Sequence, residues 1–193
     1  PAYNEELTIS DTIVDFNKAL PDAEIWVINN ASKDNTEQVA REVFKTTGCK
    51  GGVLNEDRPG KGNAVRCGFG QIEANIYVLA DADMTYPAEQ VHQLIEPVVD
   101  GIADMVVGDR HSAGHYAAEN KRPLHGVGNR LVRALVNRLF KADLRDIMSG
   151  YRVFNRHFVK NYPILVAGFE IETDMTLHAL DKKFRIVELP INY

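Results

Sequence analysis

Cysteine is nearly absent. This 193-residue chain has two, Cys49 and Cys67, far apart and outside any CxxC or Cys/His ligand spacing. A disulfide scaffold and a thiolate metal site are therefore excluded as the basis of the fold, leaving two idle thiols in a reducing compartment. Excess positive charge is missing too: 27 acidic residues against 22 basic ones give a net charge of -5. That balance removes the general reason to expect a nucleic-acid partner. No apolar run approaches the ~20 residues needed to cross a bilayer, those at 76–80 and 164–169 being far too short, and no signal peptide is visible. Repeats, low-complexity tracts and linkers are lacking, so a single domain over 1–193 is expected. The first residue is Pro1 rather than Met, which reads as a segment of a longer chain.

What is present suits a packed core: 45% hydrophobic and 25% charged residues are ordinary for a globular chain of this length. Short apolar runs alternate with helical periods, the pattern of an α/β sheet. Asn4 can cap a helix with Leu7, Ile13, Phe16 and Leu20 on one face, ended by Pro21. Strands are expected at 24–28, 53–54, 76–80, 104–107 and 185–189. Helices are expected at 36–47 (stopped by Gly48), at 63–73, from Pro87 onward, at 124–140 and at 171–180. Leu131, Leu135 and Leu139 form a stripe that reads as core, and 146–154 reads as irregular. Polar loops follow the strands at Asn29, Asp81 and Gly108, and in open α/β sheets ligands bind outside the carboxyl ends of strands.

One of those loops concentrates charge. The strand at 76–80 ends in Asp81-Ala82-Asp83, two carboxylates one residue apart. They are either turn residues leading to Pro87 or paired oxygen ligands for Mg²⁺ or Mn²⁺, metals typically held by one or two carboxylates plus substrate phosphates. Spacing alone leaves the two readings even. Neighbouring motifs add to it: PAYNEE at 1–6, NNASKDNT at 29–36, RPGKGNAVRCGF at 58–69, DADMTYP at 81–87, GDR at 108–110 and DIMSGYRVF at 146–154.

This ordered set resembles the inverting GT-A glycosyltransferases of family two that act on polyprenyl phosphates, the dolichyl-phosphate mannose and glucose synthases and their bacterial relatives. The resemblance covers essentially the whole chain. It implies an α/β, Rossmann-like GT-A fold (nucleotide-diphospho-sugar transferase), a mixed, mostly parallel sheet flanked by helices, here lacking the first strand that precedes PAYNE in the family. It implies that Pro1, Ala2, Tyr3 and Glu5 line the nucleotide base and ribose, joined by Asp34, Lys61, Asp81, Ala82 and Asp83 around a nucleotide diphosphate sugar. Asp81 and Asp83 would hold Mg²⁺ or Mn²⁺. Gly60 and Gly62 would let backbone approach a ligand closely, with Lys61 as a point charge near phosphate or simply a solvated loop residue. Arg110 and Arg122 would grip the acceptor phosphate with rigid guanidinium forks, each having a surface-charge alternative. Ser149 and Arg152, beside Asp146, complete the acceptor side, unless Ser149-Gly150 is just a turn. Asp83, Asp146 and Arg110 are the candidate catalytic residues. Glu170 and Glu172 read as acids favoured at a helix start.

Three departures from the family pattern matter. Asn29 and Asn30 replace paired acids, which leaves UDP and GDP both open, because an amide both donates and accepts. Thr85 stands where close mannose-synthase relatives carry Gln, and Gly126 where the family often has Ser. The implied reaction moves a hexose with inversion onto a polyprenyl phosphate, an acceptor ionised near neutrality and needing no strong base; Asp146 is the candidate base if one is used. The expected setting is the cytoplasmic side of a membrane, reached through segments outside this chain. A saccharide hydroxyl acceptor and a non-catalytic nucleotide-sugar-binding module are the alternatives. A dinucleotide-dependent dehydrogenase is disfavoured, since GKG at 60–62 is not a GxGxxG.

Overall fold

The computed structural model describes residues 1–112 and 123–193, with side chains from 129 onward in the second stretch. In chain order the elements are α1 (Ile9–Ala19), β1 (Ile25–Asn29), α2 (Thr36–Thr47), β2 (Gly51–Asn55), α3 (Lys61–Gln71) and β3 (Ile76–Leu79). After a 3₁₀ turn at Ala88–Gln90 come α4 (Val91–Val99), β4 (Met105–Asp109), α5 (Pro123–Phe140), β5 (Arg152–Asn155), α6 (Arg156–Asn161), α7 (Ile171–Asp181) and β6 (Ile186–Pro190). Two compact units account for them: Pro1–Ala74, Ala80–His92 and Pro163–Ile171 make one, and Asn75–Leu79, Gln93–Tyr162 and Glu172–Tyr193 the other.

The first unit is built on a parallel pair, β1 beside β2, running from Ile25↔Gly51 to Asn29↔Asn55. Ala2 adds one parallel bridge to Asn29. Because successive strand residues point to opposite faces, Val27 and Ile28 serve different cores. Val27 packs with Ile9 and Ile13 of α1 and Ala40 and Val43 of α2. Ile28 packs with Ala64 and Cys67 of α3. Helices thus cover both faces of this pair, the layered solution for α/β chains. Asn4 does not cap α1; it takes φ 57 and its Oδ1 accepts from the Lys33 N–H, while the helix begins after Thr8. Leu7, expected on the buried face, is exposed.

The second unit holds a four-stranded sheet of order β3-β5-β4-β6. β5 runs antiparallel to both β3 and β4, and β4 runs parallel to β6. The sheet is therefore mixed, with one reversed strand, as the GT-A expectation requires. Met105, Val106, Val153 and Phe154 are fully buried, and Phe158 of α6 stacks on Phe154 at 5.1 Å between ring centres. Two expectations fail here. Residues 152–154, within the stretch read as irregular, belong to β5 in the interior of the hydrogen-bond ladder; four residues opened by an arginine give no apolar run to recognise. Among the described side chains of α5 it is Val136 that is buried, while Leu131, Leu135 and Leu139 are exposed: periodicity shows a stripe but not which way it faces.

Candidate active site

In the first unit, the chain's opening and the loop after β1 are laced together by hydrogen bonds. Ala2 donates to the Ile28 carbonyl at 2.9 Å and accepts from the Asn30 N–H at 2.8 Å. The Glu5 N–H meets Thr36 Oγ1 at 2.7 Å and the Glu6 N–H meets Asp34 Oδ2 at 3.1 Å. Asp34 Oδ1 also accepts from the Thr36 N–H and hydroxyl, at 3.0 and 2.5 Å. Burial pushes the Asp34 carboxyl up, but the donors from Thr36 and Glu6 outweigh it and hold its pKa below the ordinary value. Asn4 and Ala31 both sit at left-handed φ, 57 and 55. Non-glycine residues there cost of order 1 kcal/mol each, strain typical of loops built for a ligand. Tyr3 is half exposed beside this lattice.

Asn30 is a tie between two loops. Its amide donates to the carbonyls of Glu56 and Arg58, at 3.2 and 2.7 Å, and accepts from the Gly60 N–H at 2.7 Å. A carboxylate could make only the last of these, which gives the departure from a family acid a structural cause. Asn29 donates to Asn55 at 3.0 Å, and among the described residues its Oδ1 is a buried acceptor with no partner.

The glycines of GKG do allow close approach, but what approaches is protein. A Cβ at Gly60 would lie 2.2 Å from the Ala167 carbonyl oxygen, and one at Gly62 2.5 Å from that of Val166. The segment 164–168 is docked there: the Gly62 N–H donates to Gly168 and Arg66 donates to the Ile164 and Val166 carbonyls. Lys61, expected in a loop, opens α3, and its ammonium lies 2.5 Å from Asp81 Oδ1. The acidic turn itself is pinned at its middle. Ala82 is buried against α1, and its carbonyl accepts from the Thr12 hydroxyl at 3.1 Å. On either side of that anchor Asp81 is partly exposed and Asp83 exposed, with Asp83 Oδ1 accepting from the Thr85 N–H and hydroxyl at 3.1 and 2.6 Å. Met84, between them, has φ 61.

In the second unit, β4 delivers Arg110 just beyond its last residue, the buried Asp109. The Arg110 guanidinium clasps Asp146 through two bonds, 2.7 and 2.9 Å, and lies 5.2 Å from the Tyr193 ring. Burial raises the pKa of Asp146, but the charge and hydrogen bonds of Arg110 overcome this and hold it below the ordinary carboxylate value. That direction is wrong for a base working near neutrality, which needs a raised carboxyl. Ser149 and Arg152 are fully buried. Arg152 donates to the carbonyls of Ser149 and Ile147 at 2.8 Å each and to the Thr176 hydroxyl at 3.0 Å. Its guanidinium thus braces the 147–149 turn from within the interior. Arg122 lies outside the described residues.

A family model described as Glycosyl transferase family 2 matches residues 1–162. The chain belongs to glycosyl transferase family 2. Among curated relatives, glycosyltransferase AglJ of Haloferax volcanii is 31% identical over 194 residues, a match covering 100% of this chain and 61% of that protein. The low-salt glycan biosynthesis hexosyltransferase Agl6 of the same organism is 32% identical over 197 residues, covering 100% and 46%. This chain thus spans about six tenths or less of those relatives. A dolichyl-phosphate hexose transferase, also from Haloferax volcanii, is 26% identical over 191 residues, covering 99% and 79%. Glucosyl-3-phosphoglycerate synthase of Mycobacterium tuberculosis, solved with Mn²⁺, uridine diphosphate and glucosyl-3-phosphoglycerate, shares the fold with a TM-score of 0.77 at 22% identity, covering 100% of this chain and 68% of that one.

Sequence reading of this family 2 domain missed one group that shapes the element carrying Asp146. Glu188 on β6 accepts from the backbone N–H groups of Arg145 and Asp146, at 2.7 Å each. Burial pushes its carboxyl pKa up, aided by the charges of Asp109 and Asp146. Its only signal was an acid inside an otherwise apolar strand, VELP, a position where a charge is unusual unless paired.

Proposed function

We propose that this family 2 domain, acting as one catalytic domain, transfers a hexose with inversion from a nucleoside diphosphate sugar to a polyprenyl phosphate, on the cytoplasmic side of a membrane. The observation that carries the reading is the acidic turn of the first unit: buried Ala82 fixes it to α1, and two carboxylates stay within reach of a ligand. The lipid acceptor is suggested by relatives named dolichyl-phosphate hexose transferase, dolichol-phosphate mannosyltransferase and polyprenol monophosphomannose synthase.

Asp81 and Asp83 suit Mg²⁺ or Mn²⁺. Among the described residues no group of three or more His, Cys, Asp or Glu side chains could hold a metal, so the carboxylate ligands they offer here are the pair Asp81 and Asp83. That is the donor set of an ion which keeps its waters and takes phosphate oxygens from the substrate. When bound, the cation offsets negative charge on the departing diphosphate. Lys61 pairs with Asp81 and, released, supplies a positive charge to phosphate. Tyr3, Glu5 and the laced loop around Asp34 hold the nucleoside. On the acceptor side Arg110, oriented by Asp146, aligns the anionic phosphate, with Ser149 and Arg152 shaping the turn that carries Asp146. Asp146 is thereby an orienting carboxylate, which fits a nucleophile that needs no proton removed.

A donor panel of radiolabelled UDP- and GDP-hexoses, incubated with polyprenyl phosphate and Mn²⁺, tests this reading. Label should enter the organic phase from one donor and disappear with chelator or Asp83→Asn. Transfer only to a saccharide, or donor binding without any turnover, would replace it with one of the other two readings.

A further inference from the structure

Helix α5 presents an apolar face that is exposed among the described residues. Leu131, Leu135 and Leu139 are 70%, 54% and 67% exposed, one residue per turn along the same side, and Phe140 is partly exposed at its end. At about 100° per residue the three leucines fill an arc of about 80°, and the same outward arc continues through Arg138, Ala134 and Arg130, with Lys141 just past the helix end. Arg130, Arg138 and Lys141 are all exposed. Residues 123–141 contain no Asp or Glu, in a chain with 27 of them and a net charge of -5. An apolar stripe with a wholly cationic margin has therefore been set apart on a chain that is otherwise acidic.

We infer that α5 is a membrane-surface helix, its leucines entering the headgroup boundary of an anionic bilayer and its basic margin contacting lipid phosphates. The charge pattern selects this occupant. A second copy of the chain brings the same positive margin and no acid on this helix to answer it. An anionic lipid surface offers both the apolar layer and the counter-charge, which is how amphipathic helices lie in the interface plane. No helix among the described residues is long and apolar enough to span a membrane, so the helix would lie on the surface and not cross it. This inference is independent of the reaction proposed above: it predicts attachment whatever sugar or acceptor is used.

The test is vesicle co-sedimentation of the 193-residue chain, with phosphatidylcholine alone and with about one-third phosphatidylglycerol. Binding to the mixed vesicles is expected to exceed binding to the neutral ones by at least ~10-fold and to weaken as salt rises through the Debye-screening range. Replacing Arg130, Arg138 and Lys141 with glutamate should weaken it at least ~30-fold, counting several-fold for each basic residue. Leu135→Ser together with Leu139→Ser should weaken it about 10-fold or more. All five sites are exposed, so circular dichroism of the variants should match the parent. Equal binding by parent and charge-reversed chains, or no binding to anionic vesicles, overturns the inference. So does a parent that sediments as a dimer which the serine variant abolishes while vesicles capture neither, since the stripe is then a subunit interface. Donor-sugar binding measured in solution separates this outcome from a failure of the catalytic reading.

Discussion

The acidic turn at 81–85 and the element at 146–152 both carry charge proposed for chemistry, yet they are built in opposite ways. The first is held by one buried alanine and leaves Asp83 in solvent. The second sinks Asp146, Ser149 and Arg152 into the interior and ties them with bonds to neighbouring backbone. Exposed carboxylates with few bonds can change partner when a ligand arrives. Buried groups with every bond made against protein cannot do so cheaply, because each orphaned polar atom costs about 1–3 kcal/mol. One element is available; the other positions.

The strongest challenge to that contrast is Arg152→Met. Losing the guanidinium removes the bonds to the Ser149 and Ile147 carbonyls and the one the Thr176 hydroxyl accepts, leaving that hydroxyl only its own bond to the Glu172 carbonyl. Urea unfolding should show a loss of about 3–5 kcal/mol. A loss below about 1 kcal/mol, with sugar transfer selectively impaired, would return Arg152 to the ligand-facing role read from its motif. The mirror experiment is Asp83→Ala. Its stability should stay within about 0.5 kcal/mol of the parent, as for surface sites generally, while turnover falls about 10²–10³-fold, the scale of removing a group that stabilises developing charge. Parallel loss of stability and activity in this variant would erase the distinction between the two elements.

A smaller effect probes the loop tie in the first unit. Asn30→Asp replaces two donated bonds, to Glu56 and Arg58, with a carboxylate facing two carbonyls. A destabilisation of about 1–3 kcal/mol is expected by thermal melting. Unchanged stability would mean that the loop shifts to accommodate an acid, and that the amide was selected by ligand instead of by fold.

These contrasts also show what the residues disclosed in advance. The α/β alternation, the helix over 36–47 with Gly48 as its stop, and membership of the glycosyltransferase family were legible because each is a local or ordered pattern. Facing was not. Gly60 and Gly62 were recognised as close-approach positions, but their partner proved to be the backbone of 166–167, a hundred residues on. β5 was hidden because Arg152, which opens it, is buried through bonds that only tertiary structure supplies. In α5 the leucine repeat was plain, but which side of the helix met the core depended on what packed beneath it. Local sequence records periodicity and turn chemistry; it does not record which distant group satisfies a buried atom.

The second unit also carries a titration that reads its held charges. Asp104 accepts from Arg185 at three atoms, with distances of 2.8 to 3.0 Å, and from Asn155 at 2.8 Å. The Arg185 side-chain bonds, working against burial and assisted by the other donors, lower its carboxyl pKa to about 2. A carboxyl lowered on folding stabilises the native state above its unfolded pKa of about 3.9, and that contribution is lost as pH falls through the folded value. Asp146 acts in the same sense, whereas Glu188, raised by burial, contributes in the opposite one, favouring the fold only toward acid. Thermal stability should therefore fall between about pH 4 and pH 2. The Asp104 share is about 1–2 kcal/mol at most, reduced because Arg185 is half in solvent. Asp104→Asn should lower stability at pH 6 and flatten the acid limb. If that limb keeps its slope in the variant, the clasp at Asp104 is not what the acid titration reads, and Asp146 becomes the group to replace next.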